Sequence, residues 1–106
     1  VKATADAVIG TEAVASLQHY HFSKGFFGTN GITVEEGFTT PDIEEAMNKR
    51  VAMEHCRKCY VLADASKFEA LSNVSFGPLS KGVIITAAQE GLNVRSYKQH
   101  TEVIVL

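Results

Sequence analysis

The sequence has little of what a DNA-binding module or a membrane span requires. Its 10 lysines and arginines are outnumbered by 12 aspartates and glutamates, which leaves a formal net charge of −2 at pH 7. A DNA-binding domain usually presents a basic face, and adjacent basic residues are limited here to Lys49-Arg50 and Arg57-Lys58. No apolar run approaches the roughly 20 residues that a membrane-spanning helix needs. We therefore expect neither DNA contacts nor membrane insertion from these 106 residues.

Cysteine is also scarce, with two residues arranged as Cys56-Arg-Lys-Cys59. A zinc site needs about four ligands, and the four histidines stand at no helpful spacing from this pair. A redox pair needs its reactive cysteine at a helix N-terminus, which lowers the thiol pKa. The motif falls instead near the predicted C-terminal end of a helix, so we expect two semi-buried thiols, no metal and no cofactor.

The start of the sequence lacks a basic segment followed by an apolar core, the pattern of a secretory signal. Two cysteines without secretory features are typical of a reducing compartment. We therefore expect a cytoplasmic protein.

Short apolar runs predict the strands of a mainly parallel sheet. Strands of such a sheet are covered on both faces and therefore form continuous apolar segments. The predicted strands are Phe26-Phe27 and residues 60–63, 83–86 and 103–106. Between them, residues 64–80 are expected to form a long loop and residues 87–91 a brief helical turn. The expected fold class is one small α/β domain over residues 1–106, with helices flanking the sheet.

Capping signals predict two helices. Thr40 can serve as the N-cap and Pro41 as the first helical residue of a helix that runs to about residue 58. The first turn of this helix is acidic, which complements the positive helix end. Its expected apolar stripe is Ile43, Ala46, Met47 and Val51. A second helix is predicted over residues 11–21, with Thr11 as its N-cap.

The segment between the Phe26-Phe27 strand and the long helix has the shape of a ligand site. In open α/β sheets, ligands lie at the carboxyl ends of strands, and this segment carries several glycines and two adjacent threonines. A turn that needs positive φ at glycine and asparagine, together with simple capping, explains the same residues equally well. The candidate pocket residues in this segment are Gly28, Asn30, Gly31, Thr39 and Thr40.

Two charged pairs are further candidates. Asp64 and Lys67 follow the predicted strand over residues 60–63, where a carboxylate can accept from sugar hydroxyls and an ammonium can donate to phosphate. The alternative is that Asp64 caps a turn and Lys67 is solvated. Glu45 precedes Lys49 by four residues, the favourable order for a helical ion pair worth about 0.2–0.5 kcal/mol. The residues alone favour this structural role for the second pair.

Four segments, in their order and spacing, resemble a known family. They are Phe27-Gly28-x-Asn30-Gly31-Ile32, Gly37-Phe-Thr-Thr40, Glu45-Ala46-x-x-Lys49-Arg50 and Leu62-Ala-Asp64-x-Ser66-Lys67-Phe68. The sequence from about residue 11 to residue 86 resembles the C-terminal sensor domain of DeoR-family bacterial transcription repressors, most of all the lactose- and fructose-system repressors. The resemblance implies a phosphosugar-sensing domain whose fold is related to pentose-phosphate isomerases and CoA transferases.

The resemblance also implies a partial domain. Members of the family carry an N-terminal helix-turn-helix and a first part of the sensor domain with a Ser/Thr-rich loop. We expect both to lie outside these residues, so that DNA is a partner only through that helix-turn-helix. We expect the phosphate on the Ser/Thr-rich loop, because the acidic helix start would repel it, and we expect a homo-oligomer. The resemblance favours a ligand-binding role for Lys67, Asp64, Lys49 and Glu45.

A role without catalysis follows from a further comparison. Isomerases with this fold place aspartates around the strand-end loop and a glutamate base in the following helix, where this sequence has Phe27, Asn30 and Lys49. Because proton transfer needs a base within hydrogen-bonding reach, we expect binding without turnover. The open alternatives are an isomerase-like enzyme and an oligomerisation module that pairs through residues 103–106. The sequence departs from the family at Glu69, where a glycine usually stands.

Overall fold

Residues 19–106 are described by the structure, a computed structural model, in which seven strands form two sheets. The larger sheet consists, in spatial order, of β1 (Phe22–Gly28), β4 (Cys56–Leu62), β6 (Val83–Thr86) and β7 (Val103–Val105). The smaller sheet consists of β2 (Gly31–Thr33), β3 (Gly37–Thr40) and β5 (Val74–Gly77). The helices are α1 (Ile43–Glu54) and the single turn α2 (Arg95–Lys98), with 3₁₀ turns at Ala65–Lys67 and Leu79–Lys81.

The predicted α/β class with a mainly parallel sheet is confirmed. Strand β4 pairs in parallel with β1 and β6, and β6 pairs in parallel with β7. The small antiparallel sheet was not predicted, because its strands β2 and β3 are only three and four residues long and lie in a glycine-rich segment. Its strands β2 and β3 follow β1 directly and precede α1, whereas β5 comes after β4.

The hydrophobic core lies between the inner face of the parallel sheet, α1 and the small sheet. Val61 and Ile84, at the centre of the parallel sheet, are fully buried. Phe38 and Phe76 from the small sheet stack with their ring centroids 6.0 Å apart. Burying aromatic and β-branched side chains is the main favourable contribution to folding, and here it joins the two sheets into one core.

Helix α1 begins later than the sequence predicts. Its N-cap is Asp42, whose side chain accepts a hydrogen bond from the Glu45 backbone N–H at 3.2 Å. Thr40 instead ends strand β3, where it pairs with Val74. The expectation of Thr40 as the cap and Pro41 as the first helical residue is therefore wrong. A carboxylate is a stronger acceptor than a hydroxyl, and Thr40 uses its hydroxyl elsewhere.

The predicted apolar stripe of α1 is also wrong in part. Ile43 and Met47 are 57% and 56% exposed. The buried positions of the helix are Ala46, Asn48, Lys49, Ala52 and Met53. The buried face therefore includes two polar residues, and no apolar periodicity could reveal it.

Strands β1 and β4 are longer than predicted. In β1, Phe27 is buried as expected, whereas Phe26 is 46% exposed. Strand β4 begins at Cys56, so Arg57 and Lys58 are exposed strand residues and not the last residues of a helix. The parallel pairing of β4 with β1 already starts at Cys56. Such tertiary hydrogen bonds outweigh a weak local helix preference.

The later part of the chain agrees better with prediction. The strand predicted over residues 83–86 coincides with β6, and the one over residues 103–106 differs from β7 by one residue. The loop predicted over residues 64–80 contains β5 and two 3₁₀ turns. Residues 90–91 form a simple turn, and the helical turn comes later, as α2.

The helix predicted over residues 11–21 lies outside the described residues, apart from residues 19–21, which are not helical. Within the described part of the chain, no helix is both long enough and apolar enough to cross a membrane.

Candidate functional site

The carboxyl ends of β1, β4 and β6 meet at one edge of the parallel sheet. Gly28 at the end of β1 pairs with Leu62 at the end of β4, and Leu62 pairs with Ile85. The loops that follow these strands therefore begin side by side. This edge is where ligands bind in open α/β sheets.

Lys49 attaches α1 to this edge. Its side chain is 3% exposed, and its Nζ donates a hydrogen bond to the Gly28 carbonyl oxygen at 2.7 Å. The same Nζ lies 3.7 Å from Glu45 Oε2 and 5.0 Å from the centroid of the Phe76 ring. A buried ammonium requires such partners, because water no longer solvates it. The predicted Glu45–Lys49 ion pair is present, and the carbonyl and the ring add to it.

Thr40 extends this arrangement towards the loop after β1. Its Oγ1 lies 2.5 Å from Glu45 Oε1 and 3.2 Å from the Asn30 side-chain oxygen. A hydroxyl has one proton to donate, and the shorter contact to the carboxylate takes it. The Asn30 amide must then present its NH₂ group to Thr40, which is the flipped orientation of the same side chain. We call Gly28, Asn30, Thr40, Glu45 and Lys49 the Lys49 cluster.

Thr39 and Gly31 lie beside this cluster in the buried small sheet. They pair across β2 and β3, and Thr39 Oγ1 accepts a hydrogen bond from the Ser72 N–H at 3.0 Å. Thr29, which the sequence analysis did not single out, directs its hydroxyl to the carbonyl oxygens of Gly31 and Thr39 at 2.9 and 3.0 Å. These hydroxyls hold the small sheet and the loops together.

The glycines of the loop are not explained by positive φ. Among the described glycines, positive φ occurs at Gly37 and Gly91, so that explanation is wrong for Gly28, Asn30 and Gly31. An ideal Cβ on Gly31 would lie 2.2 Å from the Ala70 carbonyl oxygen. Close approach of the loop after β4 therefore requires glycine at this position.

Asp64 caps the 3₁₀ turn that follows β4. Its Oδ1 accepts hydrogen bonds from the Ser66 N–H at 2.8 Å and from the Ser66 hydroxyl. These two bonds, with a smaller contribution from the positive charge of Lys67, lower the pKa of the Asp64 carboxyl group. The carboxylate is ionised at neutral pH and stands exposed at the strand edge, so capping leaves it available to a ligand.

A cleft of about 490 Å³ opens between the loops after β4 and β6. A volume in this range suits a small polar ligand. Lys49 and Lys67 are absent from its lining. Its polar lining residues are Asp64, Ser66, Glu69, Gln89, Glu90 and Asn93.

Glu69 and Tyr97 link the two loops on either side of the cleft. Glu69 has a φ of 65°, a left-handed conformation that costs a residue with a side chain roughly 1–2 kcal/mol. Its N–H donates to the Ile32 carbonyl oxygen at 2.8 Å, and its carboxylate accepts from the Tyr97 hydroxyl. Tyr97 is 1% exposed and contacts Phe68 edge-to-face at 5.0 Å. No motif in the sequence indicated this pair.

Comparison with known proteins identifies the domain. Residues 1–88 match the model of the DeoR C-terminal sensor domain. The chain belongs to this family. It is 41% identical over 106 residues, 100% of the chain, to the "Uncharacterized HTH-type transcriptional regulator FruR" of Bacillus subtilis (strain 168). The family resemblance carried by the four motifs is therefore confirmed.

Two further DeoR-family relatives show the same relationship. The chain is 30% identical over 105 residues to the lactose phosphotransferase system repressor of Streptococcus mutans serotype c. It is 36% identical over 75 residues, 71% of the chain, to the HTH-type transcriptional regulator GlpR of Haloferax volcanii. The chain spans only 42% of the Bacillus subtilis relative, 41% of the Streptococcus mutans relative and 29% of the Haloferax volcanii relative.

Within this sensor domain, the predicted site residues other than Gly31 and Thr39, which hold the small sheet, fall into two neighbouring groups. Gly28, Asn30, Thr40, Glu45 and Lys49 contact one another in the Lys49 cluster at the end of β1. The second group is the turn after β4, in which Asp64 borders the cleft and Lys67 is the last residue of the 3₁₀ turn. Their role in binding a ligand stays a prediction.

The two cysteines of the sensor domain lie in β4, so their predicted place at the end of a helix is wrong. Cys59 is buried and its thiol donates to the Met53 carbonyl oxygen at 3.4 Å, whereas Cys56 is partly buried. Burial raises the pKa of both thiols, and the pKa of Cys59 rises to about 11. Among residues 19–106, no group of three or more histidine, cysteine or acidic side chains is arranged to hold a metal ion.

Slow alkylation of the cysteines is the expected consequence. The thiolate is the reactive form, and a rise in the pKa of Cys59 from 9.0 to about 11 lowers its thiolate fraction at pH 8 roughly 100-fold. Iodoacetamide at pH 8 should therefore modify Cys59 far more slowly in the native protein than in the urea-unfolded protein. Mass spectrometry of the labelled protein measures the two rates. Equal rates in the two states would contradict the burial of this thiol.

Proposed function

We propose that this chain is the effector-binding part of a DeoR-family repressor of sugar metabolism, and that its effector is a phosphorylated sugar bound without turnover. The observation that carries the proposal is the cleft at the carboxyl edge of the parallel sheet, bordered by the Asp64–Lys67 turn. A relative named as a lactose phosphotransferase system repressor supports a sugar-linked effector.

The chemistry of the turn suits the two parts of such a ligand. Asp64 is ionised and exposed, so it can accept hydrogen bonds from sugar hydroxyls. Lys67, three residues later, can donate to the phosphate as a cation. Ser66 and Asn93 add neutral polar groups on opposite walls of the cleft. The phosphate is expected outside the acidic cleft, near Lys67. There it would also face the Ser/Thr-rich loop, which family members carry in the first part of the sensor domain.

The Lys49 cluster is proposed to set the loop after β1 in its ligand-binding arrangement. Lys49 holds the Gly28 carbonyl oxygen, and Thr40 holds Asn30 through contacts of 2.7 and 3.2 Å. A sugar that binds one arrangement of this loop more tightly than another would increase the population of the arrangement that it prefers. The Asn30 side chain, which is exposed, is the member that can touch a ligand directly.

Absence of catalysis is part of the proposal. An isomerase needs a carboxylate base that is free to take a proton from the sugar. Glu45 is held by Lys49 and by the Thr40 hydroxyl, which leaves it poorly suited to that task. Pentose and hexose phosphates incubated with the protein should remain unchanged by NMR, and their interconversion would favour the isomerase-like alternative.

The partners follow from the same proposal. A helix-turn-helix outside these residues would contact DNA, in the cytoplasm, where sugar phosphates and DNA are both present. A homo-oligomer is also proposed. Among the strands of residues 19–106, β7 lies at an edge of the parallel sheet, where a second copy could pair with it. Sedimentation at several concentrations tests the oligomer.

The effector proposal predicts ligand-dependent stabilisation of the natural full-length protein. A ligand that binds only the native state raises the free energy of unfolding, by about 2.7 kcal/mol at a ligand concentration of 100 times its Kd, and thereby raises the melting temperature. Thermal unfolding with a panel of hexose and pentose phosphates should show such a rise for at least one sugar. Lys67→Ala should weaken that binding about tenfold or more, because it removes a charged hydrogen bond.

Lys24→Ala is the matched control, because Lys24 is an exposed lysine of β1. It removes the same charge and should leave the ligand-induced rise unchanged. A flat panel in a protein that unfolds cooperatively would contradict the proposed effector class. An equal loss of binding in both lysine variants would remove Lys67 from the site.

A further inference from the structure

We propose that Glu69 is a specificity-determining residue of the cleft, which admits the hydroxyl-bearing part of a sugar and rejects a second phosphate. This inference rests on the proposed function, because it concerns the choice among phosphorylated sugars. The effector that it selects is a sugar monophosphate.

The cleft is lined by negative charge. The ionisable residues that line it are Asp64, Glu69 and Glu90, and all three are acidic. Carboxylates accept hydrogen bonds from hydroxyl groups, whereas a like charge placed next to them is unfavourable. A sugar with one phosphate can place its hydroxyls inside and its phosphate outside, near Lys67. A sugar with phosphates at both ends must bring one of them to the carboxylates.

Glu69 is the best-positioned of the three carboxylates for this selection. Asp64 already accepts two hydrogen bonds from Ser66, and Glu90 lies on the exposed turn after β6. Glu69 is held by its backbone, in the left-handed conformation, and by its side chain. Strained backbone that the surrounding structure maintains is concentrated at functional sites. The carboxylate is therefore fixed at the wall of the cleft.

Tyr97 is the positioning residue for Glu69. Its hydroxyl lies near both Glu69 Oε2 and the Ile32 carbonyl oxygen, but it has one proton to donate. The carboxylate is the stronger acceptor and the closer of the two oxygens, so the proton goes to Glu69. Burial, followed by the bond to Glu69, raises the pKa of Tyr97, so that the hydroxyl remains a donor. One carboxylate oxygen is occupied, which leaves Oε1 for the cleft.

The test compares two affinities in the natural full-length protein. Calorimetry would measure the Kd of hexose 1-phosphates and hexose 6-phosphates, and that of a hexose 1,6-bisphosphate. The wild type should bind its preferred monophosphate at least about tenfold more tightly than the bisphosphate. Glu69→Gln keeps the size of the side chain and removes its charge, so it should reduce this preference about tenfold. Tyr97→Phe releases the carboxylate and should reduce the preference in part.

Two further variants make the result interpretable. Glu36→Gln removes the same charge from an exposed turn between β2 and β3 and should leave the preference unchanged. Glu69→Gly suits the left-handed backbone, so it keeps the fold even if Glu69→Gln does not, and it should show the same loss of preference. A ratio of affinities is the readout because uniform destabilisation of the site does not change it.

The remaining outcomes separate the two proposals. If a monophosphate binds but the Glu69 variants keep the wild-type preference, the role of Glu69 is wrong and the proposed function stands. A wild-type protein that binds the bisphosphate more tightly than the monophosphates would likewise refute the role of Glu69 and leave the proposed function standing. If no sugar phosphate binds the wild type, the proposed function and this inference are both overturned.

Discussion

Replacing Gly31 with alanine is expected to destabilise the folded protein by about 3 kcal/mol or more. The new Cβ would lie 2.2 Å from the Ala70 carbonyl oxygen and 2.8 Å from Thr39 Oγ1. Neither atom can move freely, because one is backbone and the other accepts a hydrogen bond from Ser72. The clash can be relieved only by separating β2 from the loop after β4. Urea denaturation of wild type and variant measures the loss.

Gly28→Ala is the matched control for this prediction. A Cβ on Gly28 meets no heavy atom within 4 Å, and its φ lies outside the positive range. The change in unfolding free energy should therefore stay within about 1 kcal/mol. Equal midpoints for Gly31→Ala and Gly28→Ala would show that close packing against Ala70 does not constrain this loop.

Truncating Lys49 to alanine should destabilise the protein by about 3 kcal/mol. The variant loses the contact with the Phe76 ring and the bond to the Gly28 carbonyl oxygen, and Glu45 loses its cation. Lys49→Met keeps an unbranched apolar stem beside Phe76. It should therefore cost only about 1–2 kcal/mol, for the unpaired carbonyl and for the partly exposed Glu45 carboxylate that has lost its cation. Denaturant midpoints of the two variants measure the difference.

The salt dependence of the Lys49 variants provides a further check. The Lys49 side chain is 3% exposed, and buried charges are screened much less than exposed ones. The loss in Lys49→Ala should therefore be nearly the same at low and high ionic strength. A loss that disappears in high salt would contradict the burial of this charge. Equal losses in the alanine and methionine variants would mean that packing of the side-chain stem beside Phe76 contributes nothing.

Features that depend on neighbouring residues were predictable from the sequence. The strand over residues 83–86 is a continuous apolar run, and such runs are typical of buried parallel strands. Asp64 and Ser66 form a turn whose hydrogen bonds span only two residues. The Glu45–Lys49 pair follows from the helical repeat. The ordered motifs placed the chain in the DeoR family, which the match over residues 1–88 confirms.

Only the tertiary structure decided which distant residues the candidate residues contact. Helix α1 ends at Glu54 because the following residues pair with β1, and no local signal reports that pairing. Gly31 is required by Ala70, which lies 39 residues later in the sequence, and Glu69 is positioned by Tyr97, 28 residues later. The sequence by itself determined the family, the α/β class and the turn capped by Asp64, because these depend on patterns of residues close in the sequence. Burial of Lys49 and Thr39 and the acidic lining of the cleft depend on distant segments that only the folded chain brings together.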